Sequence, residues 1–303
     1  MPTVTSAPDL PEKIIEPPAG LPSSAWPAKQ NQHYSVIRAG RGLAAFDFHE
    51  LWEFRNLLFA LAGRDLKLRY KQTALGVIWV VLQPLLAAGI FSFVFGKVAR
   101  MPSDGVPYFL FSYAGLLGWN LFNNTVTKVA TSLIGNSQLL TKVYFNRLIL
   151  PLSSVPSVLV DFLVAAGVLT VLMVTNHAWP SAKLLLLPIW VLVLLFTAFG
   201  AGLLSCSLSV TYRDIQYIMP VVLQLLLYGT PIAYSISAVP SHLRMIYYLN
   251  PLSAPMEAFR SSLLNTAMPG TGPLIYSVIC ALLVQIAGLY AFKRLEKTFA
   301  DVI

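Results

Sequence analysis

Five long stretches of this chain contain no Asp, Glu, Lys or Arg: residues 72–96, 105–127, 184–212, 215–241 and 261–292. A sixth, 148–182, is broken only by Asp161. A helix of this length at the surface of a water-soluble protein keeps a charged face, and none of these stretches has one. A membrane-crossing helix needs about 20 predominantly apolar residues. The sequence therefore predicts an all-α membrane protein with six transmembrane helices, near 74–96, 107–126, 148–174, 184–209, 216–237 and 273–292. Charged residues make up only 11% of the 303 residues, against about 25% in soluble domains.

The net charge of +8 would suit nucleic acid if it were spread over one soluble face, but here the spans sort it. With both termini on one side, that side holds 16 of the Lys and Arg residues and the other holds five: Lys97, Arg100, Lys183, Arg244 and Arg260. Positive loops stay in the cytoplasm, so both termini are expected there. The segment "RDLKLRYK" (64–71) concentrates four basic residues directly before the first span, where they can hold its start at an anionic leaflet. Residues 1–40 contain seven prolines and little apolar content, which reads as a disordered cytoplasmic tail without a signal peptide. Residues 41–72 form the next unit, an amphipathic helix and basic anchor, with Phe48, Leu51, Trp52, Leu58 and Phe59 at helical spacing. Such a helix lies in a membrane interface or against a soluble partner. Residues 73–303 make up the transmembrane domain.

The chain lacks several kinds of chemistry. No phosphate-binding loop of the form G-x-x-x-x-G-K-[ST] occurs, since Gly96-Lys97 is followed by Val98. The four histidines are scattered and the two cysteines lie in expected spans, so neither a metal site nor a disulfide framework is indicated. Asp161 is the one charge expected within a span, roughly 20 Å along its helix at 1.5 Å per residue. No span offers a Lys or Arg as its partner. It reads either as a functional group, the default for an intramembrane acid, or as a hydrogen-bonded carboxyl joining helices. Tyr108, Phe111, Gly115, Trp119 and Phe122 fall on one helical stripe, and Phe91 and Phe95 sit a turn apart. These aromatics fit either a sugar-stacking channel wall or an interfacial belt. Gln83-Pro84 interrupts the first span, as a simple kink or as a polar point facing a channel. The region 238–272 holds apolar stretches too short to span, which fits re-entrant or interfacial helices shielded by protein.

Four segments, taken in order, resemble a known family. They are "RDLKLRYKQTALGVIWVVLQPLL" (64–86), "LLTKVYFNRLILPL" (139–152), "YRDIQYIMPVVLQLLLYGTPIAYS" (212–235) and "YYLNPLSAPMEAFR" (247–260). The chain resembles the permease subunit of type-2 ATP-binding-cassette exporters, in the branch that exports O-antigen, capsule and teichoic acid. The resemblance implies a homodimer in the bacterial inner membrane, served by two cytoplasmic ATPase subunits that bind the ATP and magnesium. It assigns no cofactor to this chain. It implies a polyprenyl-diphosphate-linked glycan as substrate, and partners limited to these subunits, the glycan and membrane lipid, without nucleic acid. ATPase coupling falls to Leu139, Leu140, Lys142, Val143 and Tyr144, with Arg213 and Asp214 in the short turn before the fifth span. The interface helix carries Phe48, Leu51, Trp52 and Phe59. Gln83, Phe91, Phe95, Phe111, Trp119, Tyr228 and Tyr234 are the candidates for the substrate channel. Asn146 stands where the family often has proline. Two other readings remain open: an exporter of a smaller lipid or drug, and a membrane glycosyltransferase acting on polyprenyl carriers. The latter would need acidic residues clustered at one membrane face, which this sequence lacks.

Overall fold

Among the described residues every regular element is helical. A computed structural model describes residues 48–71, 76–142, 145–179 and 181–296. The tail, Val143 and Tyr144 lie outside them. In chain order α1 is Phe48–Glu53, α2 Arg55–Lys71 and α3 Gly76–Phe91, the last continuing as a π-helix over Ser92–Val98. Then come α4 (Tyr108–Thr131), α5 (Ser137–Lys142), α6 (Ile149–Thr175), α7 (Leu187–Thr211) and α8 (Ile215–Gly229). The last three are α9 (Ser241–Leu249), α10 (Ser253–Leu264) and α11 (Thr271–Leu295).

Among the described residues four stretches are long and apolar enough to cross a membrane: Ile78–Val98, Ile149–Thr175, Ala182–Thr211 and Thr271–Leu295. They correspond to the first, third, fourth and sixth expected spans. The second is matched by α4, which has 24 residues but is more polar, carrying Asn120, Asn123, Asn124 and Lys128. It is also the most enclosed of the long helices, packed against α3, α6, α7 and α10. The fifth is matched by α8, which stops after 15 residues, short of the ~20 that a span needs. Its end follows from Thr230-Pro231. Proline drives the preceding residue out of the helical region, and Thr230 is extended at φ −110, ψ 140.

The expected amphipathic helix is divided. A turn at Phe54 separates α1 from α2, and α2 then runs on through the whole basic segment to Lys71. The turn splits the apolar face. Leu51 and Leu58 pack inward, whereas Trp52 and Phe59 are exposed.

Two apolar clusters hold the helices together. The larger joins α4, α6, α7 and α10, with Phe111, Trp119, Phe162, Trp190 and Phe259 among its members. The second lies at the end where α4 finishes and α6 begins. It unites Leu61 of α2, Val129 and Leu133, Phe145, Leu148, Ile149 and Leu150, Cys206 and Val210 of α7, and Phe292 of α11. Several helix contacts depend on glycine. A Cβ on Gly200 of α7 would stand 2.7 Å from the Gln285 Cα of α11, and one on Gly118 of α4 would meet the Phe259 ring of α10 at 3.0 Å.

Candidate functional site

Asp161 is paired with two basic side chains. Its Oδ2 lies 2.6 Å from Arg69 Nη1 and 3.7 Å from Lys128 Nζ. Lys128 also donates to Ser157 Oγ at 2.8 Å. Both partners come from outside the expected spans, which offer no Lys or Arg themselves. Arg69 comes from α2, outside every span, and Lys128 from the last turn of α4. Lys128 thus reaches from the last turn of α4 to a carboxylate well inside α6, whose start lies in the second apolar cluster. Only 7% of the Asp161 side chain is exposed. A carboxylate so enclosed needs a positive neighbour to offset its desolvation. Beside this group, Arg64 pairs with Asp65 at 2.8 Å and donates to Asn136 Oδ1 at 2.7 Å, tying α2 to the connection between α4 and α5.

At this basic end, α5 presents Lys142 outward while Leu139 and Leu140 are half-buried against the second cluster. Leu51, Phe54, Leu57 and Leu58 of α1–α2 pack on the same cluster, so the interface helix and α5 share one apolar support. Arg213 and Asp214 are exposed in the turn before α8. Phe48 begins α1, and Arg55 stacks over the exposed Trp52 ring at 5.2 Å. Asn146 Oδ1 accepts the Leu148 N–H at 3.1 Å as α6 begins.

A second polar group surrounds Arg260, one turn beyond Glu257 on the wholly buried α10. Arg260 Nη1 donates to the Pro231 carbonyl at 2.9 Å and reaches Ile232 O at 3.4 Å. Its guanidinium carbon lies 3.9 Å from the Phe111 ring centroid. The residues that break α8 leave carbonyls without helical partners, and Arg260 satisfies them. Tyr108 donates to the neighbouring Ala233 carbonyl. Asn250 adds a clamp, with Nδ2 donating to Gly229 O at 3.1 Å and to Thr230 Oγ1 at 2.9 Å. Tyr248 donates to Glu257 Oε2 at 3.1 Å. Burial pushes the Glu257 carboxyl up, opposed by Arg260. Burial and the adjacent carboxylate push the Tyr248 phenol up to about 12. Asp104 accepts from Ser235 and Ser237 at 2.5 and 2.8 Å, closing the connection that precedes α4 onto the same segment. The sequence signal for this group was the Glu257–Arg260 spacing within an otherwise apolar stretch.

The channel candidates separate into two groups. Phe111 and Trp119 are buried inside the single chain. Phe111 is covered by Arg260, and Trp119 packs on Phe122 with ring centroids 5.7 Å apart. The stripe faces α10 and the broken end of α8, since Gly115 lets the Ile232 carbonyl approach α4. In this conformation neither ring has a free face for a sugar. Phe91 and Phe95 meet edge to face at 5.5 Å where α3 becomes the π-helix. Tyr234 is half-buried against Tyr247, while Tyr228 and Gln83 are exposed. Pro84 is buried, and α3 continues through it.

This helical arrangement, with four stretches among the described residues long and apolar enough to cross a membrane, suits a membrane-embedded protein, and the sequence comparisons identify its class. Residues 56–264 match the model of the ABC-2 type transporter family, and the chain belongs to that family. It is similar to the O-antigen export system permease protein RfbA of Myxococcus xanthus, 30% identical over 84% of this chain and 98% of that protein. It is equally similar to the RfbA of Klebsiella pneumoniae, 30% identical over 82% and 95%. The polysialic acid transport protein KpsM of Escherichia coli is 23% identical over 78% and 93%. The protein is a multi-pass permease of the polysaccharide-exporting branch.

Proposed function

We propose that two copies of this chain, with two cytoplasmic ATPase subunits, form the passage that carries a lipid-linked, O-antigen-like polysaccharide across the bacterial inner membrane. The observation that carries the reading is the match along nearly the full length of two O-antigen export permeases. The architecture supports it. In this reading α4 and α8 are the remaining two crossings beside the four apolar helices, and the uneven distribution of Lys and Arg favours both termini in the cytoplasm. The buried α10 between α8 and α11 supports a re-entrant element at the outer face. Exposed Lys142 on a helix braced by Leu139 and Leu140 supports α5 as the contact for the ATPase, and Arg213-Asp214 as a neighbouring contact. In this reading ATP and magnesium are held by the partner subunit, and this chain holds no cofactor.

Deletion of the gene in its native host tests the proposal. Surface polysaccharide should disappear while lipid-linked polymer accumulates inside the cell, and both should be reversed by the intact chain. Unchanged surface polymer would overturn the reading.

A further inference from the structure

α8, a crossing helix in the proposed topology, turns polar groups away from its own chain. Its sequence, IQYIMPVVLQLLLYG, carries no charge, and only Leu223 is buried. At about 100° per residue the helix divides into three sectors. Leu223, Met219 and Leu226 pack on the rest of the molecule. Ile218, Val222 and Leu225 form an exposed aliphatic sector. Tyr217, Gln224 and Tyr228 fall within about 40° of one another, and all three are exposed, the two phenols at 79% and 62%. Gln224 stands near the middle of the helix, yet its amide makes no hydrogen bond among the described residues. In hydrocarbon an amide gives up its hydrogen bonds to water and gains nothing in return. Two other long helices avoid this. At mid-helix α6 exposes Leu163, and α11 exposes Ile279, Leu282 and Leu283 while turning Gln285 inward. The exposed Thr170 hydroxyl of α6 is bonded to the Ala166 carbonyl at 2.9 Å.

We propose that Tyr217, Gln224 and Tyr228 form a rail along which the uncharged part of the sugar chain moves through the membrane. The inference rests on the polysaccharide substrate of the proposed function and names the side chains that meet it. A sugar ring presents a face of C–H bonds and a rim of hydroxyls. A phenol matches both, because its flat face is negative and its edge carries an O–H. The Gln224 amide can donate to one hydroxyl and accept from another. Tyr217 and Tyr228 are eleven residues apart, about 16 Å along the helix, with the amide between them. Contacts strung along an axis let successive sugars exchange places, whereas a pocket would hold one. The fifteen residues of α8 include no cation, so the rail suits neutral sugars and not the phosphate of the carrier. The aliphatic sector of the same helix has neither the flat faces nor the amide, and it serves as an internal control.

Two measurements test it, one without polysaccharide and one with it. For the first, the full chain carrying C280S is reconstituted in phosphatidylcholine vesicles and treated with a membrane-impermeant thiosulfonate; Cys206 is buried and stays. Q224C should react at least about tenfold faster than V222C or L225C, because only the thiolate reacts and a thiol in hydrocarbon stays protonated. Equal rates overturn the wet face. A disulfide between two Q224C copies, without access of the reagent, makes a second copy the occupant and overturns the sugar assignment. For the second, surface polysaccharide per folded permease is measured in the native host. Y217A, Y228A and Q224L should each lower it severalfold, and Y217F and Y228F should retain most of it. Y217L and Y228L should fail as the alanine variants do, since stacking needs a flat face where packing needs only volume. I218A and L225A should export at the wild-type level. Normal export by Y217L and Y228L, or equal losses in I218A and L225A, overturns the rail. The labelling needs no polysaccharide, so failure of the proposed function in the deletion strain and failure of this rail are separate results.

Discussion

Replacing Gly200 by alanine adds one methyl group at a close contact between α7 and α11. The new Cβ would stand 2.7 Å from Gln285 Cα, 2.8 Å from its nitrogen and 2.9 Å from the Val284 carbonyl carbon. All three are backbone atoms of a continuous helix, so no side chain can swing aside. Carbon atoms rest at about 3.5–4.0 Å, so the helices must part by roughly 1 Å along this contact. A gap of that size forfeits a quarter to a half of the dispersion between the facing surfaces, and close packing is the main attraction between helices in lipid. Overpacked cores lose about 1–3 kcal/mol. With backbone on both sides, the upper half of that range is expected, a fall in unfolding midpoint of roughly 5–10 °C. Gly167→Ala is the control, since nothing lies within 4 Å of its would-be Cβ and alanine is the better helix former by about 1 kcal/mol. The two variants should therefore move in opposite directions when thermal unfolding is followed in detergent or nanodiscs. Equal behaviour would refute the packing account of α7 and α11.

Arg260→Met leaves the buried Pro231 carbonyl without its donor and removes the positive neighbour of Glu257. It should cost about 2–4 kcal/mol, measured as loss of folded permease on size exclusion, and wild-type stability in this variant would refute the clamp. Leu140→Asp and Lys142→Glu should leave membrane insertion intact while abolishing stimulation of the partner ATPase in the reconstituted complex; normal stimulation would remove α5 from the contact. The double variant Phe111→Leu, Trp119→Leu should lose about 1–3 kcal/mol yet export normally per folded molecule, because both rings pack within the chain. A specific loss of export at normal folded yield would return them to the polymer path.

The long apolar helices were legible because lipid removes charge from a whole stretch, and that signal is local. The end of α8 was legible in principle at Thr230-Pro231, but an apolar run that continues to Ser241 masked it. The Arg69–Asp161 contact was not legible. The partners are distant in sequence, and Arg69 belongs to a segment whose charge has a sufficient explanation as a topology anchor. The aromatic stripe on α4 was seen correctly as a stripe, while the direction it faces depends on α10, a helix too short to announce its position by periodicity. The split of the interface helix at Phe54 likewise came from packing, since Leu51 and Leu58 are drawn to the cluster that Trp52 and Phe59 face away from.

The second apolar cluster bears on how such a permease can be altered. Leu51 and Leu58, Leu139 and Leu140, the start of α6 and the ends of α7 and α11 all rest on one another. Close-packed interiors transmit displacement instead of absorbing it. Under the proposed arrangement, a foreign ATPase could not be matched by grafting α5 alone, because its apolar underside is tailored to residues scattered over the whole chain. The transferable unit is α1–α2 together with the α4–α6 connection, and substitutions there are expected to be tolerated in combination where each fails singly.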